Sequence, residues 1–245
     1  VGIEGKVALV TGGSRGIGAA IAERLAAEGA DVALTYNASA DRAEQVAAAI
    51  RDTGRRGLAI HAPAGDPQAV PAAVDRVAAE FGRLDILVNN AGIFPYGTID
   101  ELTMEQFDET MALHIRAVFA AAKAASRHLS TGGRIISIGS NLAERATRPG
   151  LSLYSMSKAA LLGFTKGLAR DLGPRGITVN VVQPGSTHTD MNPADSPSAD
   201  AQRAATALGR YASPAEIAAT VAYLAGEGGN FITGTAITVD GGANA

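Results

Sequence analysis

The sequence predicts an α/β protein built on a parallel sheet with helices on both faces. Three observations predict it. Short apolar runs rich in β-branched residues alternate with longer segments of helical periodicity along most of the chain. A glycine-rich turn, Gly12-Gly13-Ser14-Arg15-Gly16-Ile17-Gly18, joins the first apolar run to the first helical segment. Tyr154 and Lys158 stand at helical spacing at the head of a long helical segment.

Residues 6–11 are apolar, with β-branched Val7, Val10 and Thr11, and suit a strand buried on both faces. A helix is expected over 19–28, ended by Gly29. Between them, glycines let the backbone approach a pyrophosphate, and the helix N-terminus offers free N–H groups and a positive dipole. The spacing is Gly-x-x-x-Gly-x-Gly, not the commoner Gly-x-Gly-x-x-Gly. An ordinary glycine-rich turn is the alternative; the strand before and the helix after favour a nucleotide site.

Residues 31–36 read as the second strand, and 38–53 as a helix stopped by Gly54. A third strand follows over 58–62 and a helix over 66–81. The fourth strand, 84–88, ends in Asn89-Asn90-Ala91-Gly92. A long helix is expected over 103–129, and a fifth strand over 134–139 ending at Ser140. The helix carrying Tyr154 runs to Leu172, where Gly173 and Pro174 stop it. The sixth strand, 177–182, is broken by Pro184 and Gly185. Residues 186–212, with Pro193 and Pro197, break the rhythm. They directly follow the sixth strand, which favours a mobile lid over a plain surface loop. A helix over 214–224 and a strand over 235–239 close the chain. No repeat, linker or second domain interrupts residues 1–245, so one domain is expected.

In such sheets, ligands bind beyond the carboxyl ends of the strands. Asn90, Ser140, Tyr154, Pro184 and Gly185 all lie at or soon after those ends, so they are expected to converge. Positions i and i+4 share a helix face, which sets Tyr154 beside Lys158. A free phenol has a pKa of about 10. A neighbouring cation lowers it, so the pair suits proton transfer near neutrality. Taken alone, the pair more often means a packed ring and a solvated amine.

Composition narrows the partners. A chain that is 47% hydrophobic can build a sizeable core. The net charge is −3 and no basic block appears, which argues against nucleic acid. There is no Cys, so no disulfide or thiolate chemistry, in keeping with a reducing compartment. No metal site is expected. No charged-then-apolar leader and no membrane-length apolar run stand out, so a soluble, cytoplasmic protein is expected.

Together these residues resemble the short-chain dehydrogenase/reductase family over essentially the whole chain. Thr11 to Gly18 look like its nucleotide-binding turn, and Asn89 to Gly92 like its sheet-stabilising motif. Ser140, Tyr154 and Lys158 match its catalytic Ser and Tyr-x-x-x-Lys. Pro184 and Gly185 precede Thr189, which matches a cofactor-contacting Thr, and residues 231–234 and 239–242 resemble its C-terminal signature. The resemblance implies a Rossmann-type doubly wound sheet of seven strands in the order 3-2-1-4-5-6-7. It implies hydride transfer between a nicotinamide and a ketone or secondary alcohol. Ser140 would orient the carbonyl oxygen and Tyr154 would donate the proton. Lys158 would lower the Tyr154 pKa and hold the nicotinamide ribose. The implied cofactor contacts are Gly12, Ser14, Arg15, Gly16, Ile17 and Gly18 in the turn, and Tyr36, Asn37, Ala38 and Ser39 after the second strand. Ala64, Asn90, Ala91 and Gly92 follow, with Tyr154, Lys158, Pro184, Gly185, Thr187 and Thr189.

NADP(H) is the expected cofactor, with NAD(H) left open. Sites of this fold that take NAD place an acid after the second strand. Here that place is Tyr36-Asn37, and Asp31 lies at the wrong end of the strand. Arg15 could pair with a 2′-phosphate, with Asn37 and Ser39 adding hydrogen bonds.

Residues 177–182 and 189–191 look most like 3-oxoacyl-carrier-protein reductases, which would make a 3-oxoacyl thioester the substrate and acyl carrier protein a partner. Sugar, steroid and cyclic-alcohol dehydrogenases share the frame, and a catalytically silent nucleotide-binding relative is the rival class. Arg127, Arg134 and Arg175 are candidates for a basic surface facing an acidic carrier, but residues 130–132 are uncharged. Two further positions depart from the family. Pro63 replaces an adenine-contacting Asp, leaving Ala64 only its backbone and packing. His114 replaces the catalytic Asn, whose family role is a backbone carbonyl holding a water between Lys158 and solvent. The His114 ring is expected either to be held neutral by Lys158 and join that water chain or only to pack on its helix. A homotetramer is expected, paired through the Tyr154 helix and the last strand. Phe231, Ile232, Ile237 and Val239 make that edge apolar.

Overall fold

A computed structural model describes residues 2–245. Seven strands form one sheet: β1 Val7–Val10, β2 Asp31–Tyr36, β3 Gly57–His61, β4 Ile86–Asn89, β5 Arg134–Ile138, β6 Thr178–Pro184 and β7 Ala236–Val239. Their order is 3-2-1-4-5-6-7, as expected, and every neighbouring pair is parallel.

Strand residues alternate between the two faces. In β1, Ala8 and Val10 join one apolar core and Val7 and Leu9 the other. The first core is completed by α1 Gly16–Ala27, α2 Ala40–Asp52 and α8 Pro214–Ala225, through residues such as Leu25, Ile50 and Val221. The second is completed by α3 Ala69–Phe81, α5 Ala117–Ala125 and α6 Ser152–Leu172, through Val74, Ala121 and Leu172. Helices on both faces explain why β1, β4, β5 and β6 are buried at every residue, with no side facing solvent.

The amino ends of the strands are tied by charged groups. Asp85, just before β4, accepts from the Val7 amide at 2.9 Å and takes a two-pronged contact from Arg83, both bonds at 2.7 Å. Asp31 accepts from the Arg56 amide and its Nε at 2.8 and 2.7 Å. Arg134 is buried and donates to the carbonyls of Gly132 and Gly133.

Two stretches differ from expectation. The helix expected over 103–129 is interrupted. It comprises α4 Met104–Met111, a π-helical turn Ala112–Arg116 and α5, so His114 lies in the middle of a widened turn. Such insertions recur where a helix bends around a functional site. The segment 186–212 is better ordered than its composition suggests. It holds α7 Ala199–Ala204, and Thr187 pairs with Ala212 in a parallel bridge that closes the segment at its base. Among the described residues, no helix is long and apolar enough to cross a membrane.

Candidate active site

The site forms at the carboxyl ends of β1, β4, β5 and β6, where the parallel register collects the glycine turn, Asn90, Ser140 and Pro184. The glycine turn is held by its neighbours. Asn90 Nδ2 donates to the Thr11 and Gly12 carbonyls at 3.0 and 2.9 Å. Thr11 Oγ1 accepts from the Asn90 and Ala91 amides at 2.9 and 3.1 Å. Thr35 Oγ1, on β2, accepts from the Gly12 amide at 3.1 Å. Only glycine fits at position 18, where a β-carbon would lie 2.3 Å from the Gly12 carbonyl oxygen. No side chain caps α1, so its first amides stay available. The turn therefore fits a dinucleotide pyrophosphate: backbone donors, a helix dipole and nothing in the way.

After β2 the chain presents Tyr36, Asn37, Ala38 and Ser39, with no carboxylate. Arg15 lies beside this end, together with Arg42 of α2; both reach Asp190 from the segment after β6. Ala64 packs on the second core. Thr187 donates its hydroxyl to the Gly185 carbonyl at 3.1 Å, so the hydroxyl is turned inward.

On the other side of the site, α6 presents Tyr154 and Lys158. The Ser140 side chain stands near the Tyr154 phenol and draws its pKa down. Ser140 Oγ also accepts from the Leu142 amide at 3.2 Å, which fixes its rotamer. Lys158 is buried, donates to the Ile138 carbonyl at 3.0 Å, and has its ammonium 5.8 Å from the centre of the Tyr154 ring. This arrangement corrects one expectation. Burial pushes the Tyr154 phenol above its ordinary value, and the nearby Ser140 side chain pulls it part of the way back. The Lys158 ammonium is engaged on the Ile138 carbonyl and is not among the groups that shift the phenol. Burial lowers Lys158 itself to about 8.

His114 is almost fully buried, and both its ring nitrogens are occupied. Nε2 accepts from the Ile93 amide at 3.0 Å. Nδ1 lies 2.8 Å from Ser157 Oγ, which in turn donates to the Tyr154 carbonyl at 2.8 Å. These directions assign the proton to Nδ1. The chain Ile93–His114–Ser157–Tyr154 thus ties the loop after β4 to the helix that carries Tyr154. His114 is lowered to about 3, first by burial and second by Lys158. The expected neutrality holds, with burial as its main cause. The ring's expected part in a water chain does not: neither ring nitrogen is left for water.

The loop after β4 also brings aromatic rings to the site. Phe94 meets Tyr154 edge-on at 4.7 Å, and Tyr96 stacks on Phe94 at 6.3 Å. The three arginines read as a carrier-protein surface are engaged elsewhere. Arg127 pairs with Asp75, Arg175 donates to the Ser126 and Leu129 carbonyls, and buried Arg134 lies at the amino end of β5, opposite the site. Arg42, Asp190 and Ser157 were not singled out in the sequence. Ser157 was open to discovery, being one helical turn from Tyr154; the approach of Asp190 to the arginines is a tertiary event with no local signal.

Residues 12–244 match the family model described as Enoyl-(Acyl carrier protein) reductase. A cyclic-di-GMP-binding biofilm dispersal mediator protein of Escherichia coli (strain K12) is 44% identical over 97% of this chain and 96% of its own. A versicolorin reductase of Emericella nidulans is 41% identical over 98% and 96%. Among solved structures, a short chain dehydrogenase from Burkholderia cenocepacia J2315, crystallised in complex with NADP, is 61% identical with a TM-score of 0.98 over 99% of both chains.

Proposed function

Since the chain belongs to the short-chain dehydrogenase/reductase family and is an NAD(P)-dependent oxidoreductase, we propose that it is an NADPH-dependent reductase of small-molecule ketones. The observation that carries this reading is the convergence of buried Ser140 and buried Lys158 on the Tyr154 phenol, with the Lys158 ammonium 5.8 Å from the ring centre.

The glycine turn and the α1 N-terminus would hold the pyrophosphate, and Arg15 and Arg42 the 2′-phosphate. Lys158 and Tyr154 would hold the nicotinamide ribose. When bound, the cofactor supplies the hydride. Ser140 donates a hydrogen bond to the substrate oxygen and orients it. Tyr154 keeps its proton at neutral pH because burial raises its pKa, so it is loaded to protonate the oxygen as negative charge develops there. Lys158 keeps its positive charge below about 8 and favours that charge build-up. Phe94 and Tyr96 shape an apolar approach to Tyr154, and residues 186–212 serve as the lid.

The chain is also proposed to work as a homotetramer. Phe231 is fully exposed beside the edge strand β7, and Phe119 is 56% exposed, packed 5.8 Å from Phe164 of α6. Rings left on two faces of a soluble α/β protein call for burial. Mixing the protein with NADPH and a panel of ketones while following cofactor absorbance tests the reading. Absence of turnover with every ketone, despite NADPH binding, would favour a silent nucleotide-binding relative.

A further inference from the structure

The start of the lid meets the glycine turn through an ion-pair arrangement that the expected cofactor contacts leave unexplained. Thr189 and Asn192 close a tight turn: their amides and carbonyls pair at 3.4 and 3.1 Å, and the Asn192 amide also donates to Thr189 Oγ1 at 3.2 Å. The carboxamides of Asn192 and Gln202 pair reciprocally at 2.9 and 3.0 Å. Asp190 therefore projects from a braced turn. That turn rests on Gly16, where a β-carbon would lie 3.3 Å from Thr189 Cγ2. From this position Asp190 Oδ2 reaches Arg42 at 2.6 Å and Arg15 at 3.5 Å. The two arginines come from separate elements, one from the glycine turn and one from α2. Among the described residues, neither has another ion-pair partner.

One oxyanion between two guanidiniums is the pattern by which arginines hold a phosphate. We propose that Asp190 is an internal stand-in for the 2′-phosphate of NADP(H), neutralising Arg15 and Arg42 until the phosphate displaces it. This rests on the reading of the chain as NADP(H)-dependent. NADP(H) must break the Asp190 contacts to gain its arginines, whereas NAD(H) has no phosphate and leaves them intact. Asp190 thus restrains affinity for NADP(H) alone.

All three side chains are more than half exposed, at 58% for Arg15, 55% for Arg42 and 54% for Asp190. An exposed pair is weak, so the expected effect is small, about two- to fivefold in affinity. Calorimetric titration with NADPH, NADH, 2′,5′-ADP and 5′-AMP tests it on the wild type, Asp190→Asn, Arg42→Ala and the double variant. Asp190→Asn should bind NADPH and 2′,5′-ADP about two- to fivefold tighter, with NADH and 5′-AMP unchanged. The gain should shrink in the Arg42→Ala background and at high salt. Unchanged or weaker binding of 2′,5′-ADP by Asp190→Asn would overturn the proposal, weaker binding meaning that Asp190 orients the arginines. A wild type that binds NADPH no better than NADH would instead overturn the cofactor reading beneath it.

Discussion

Replacing His114 by Asn should make the protein less sensitive to acid. In the folded chain His114 is sealed among Ile93, Ser157 and Lys158 and lowered to about 3; in the unfolded chain an imidazole titrates near 6.5. Between those values the unfolded chain takes up a proton that the folded chain refuses. Stability from this residue is therefore complete above about 6.5 and falls as the pH drops toward about 3. The slope is at most about 1.4 kcal/mol per pH unit, or roughly 2.7 kcal/mol between about pH 6.5 and 4.5. In a chain of this length each kcal/mol moves Tm by about 2–4 °C, so the whole effect is roughly 5–11 °C. Asn can keep one of the two hydrogen bonds and does not titrate. Thermal unfolding followed by circular dichroism across this range should show the wild type losing that much more Tm than His114→Asn as acid is added. Parallel curves for the two proteins would refute the sealed, neutral imidazole. The same reasoning denies His114 an acid limb near pH 6.5 in kcat/KM, and a limb there that vanished in the variant would reinstate it as a relay.

Other outcomes follow from the site. Tyr154→Phe removes the proton donor and should lower kcat by about 10²–10⁴-fold, with NADPH affinity unchanged by calorimetry; a variant keeping a tenth of wild-type turnover would remove Tyr154 from the chemistry. Lys158, lowered by burial to about 8, carries its charge below that value and loses it above, so ketone reduction should fall as pH rises through about 8; a rate–pH profile flat beyond that point would contradict it. Arg15→Ala should raise KM for NADPH and leave KM for NADH alone, as steady-state kinetics with both cofactors will show. Light scattering should find a tetramer, and Phe231→Glu should break it into smaller species; a monomeric wild type at micromolar concentration would end that proposal.

Much of the fold could be read from the sequence because its signals are local. β-branched runs, glycine stops and helical periodicity gave all seven strands, and parallel topology then forced their carboxyl ends together. Glycine at 18 and the Tyr154–Lys158 spacing likewise mark chemistry that depends on neighbours in sequence. What escaped was long-range. The π-helical turn at His114 answers to the Ile93 amide and Ser157 hydroxyl, which lie on other elements. The Tyr154 pKa depends on how deeply the phenol is buried and on Ser140 from another element, and helical spacing reports neither. Arg134 illustrates the same limit: a charged residue read as surface proves to be buried, its terminal nitrogens on backbone carbonyls and its Nε without a partner.

The charged ties at the amino ends of β1, β2 and β5, and before β4, separate two tasks that many proteins mix. Asp85, Asp31 and Arg134 fix strand ends at one pole, while the opposite pole is left to loops. Substitutions in residues 93–97, 141–150 or 186–212 can therefore remodel what is bound without loosening what aligns the strands. Such a molecule can diverge quickly: its lineage can change substrates through its loops while inheriting an unaltered frame, and a laboratory seeking new specificity should randomise the carboxyl pole and leave the amino pole alone.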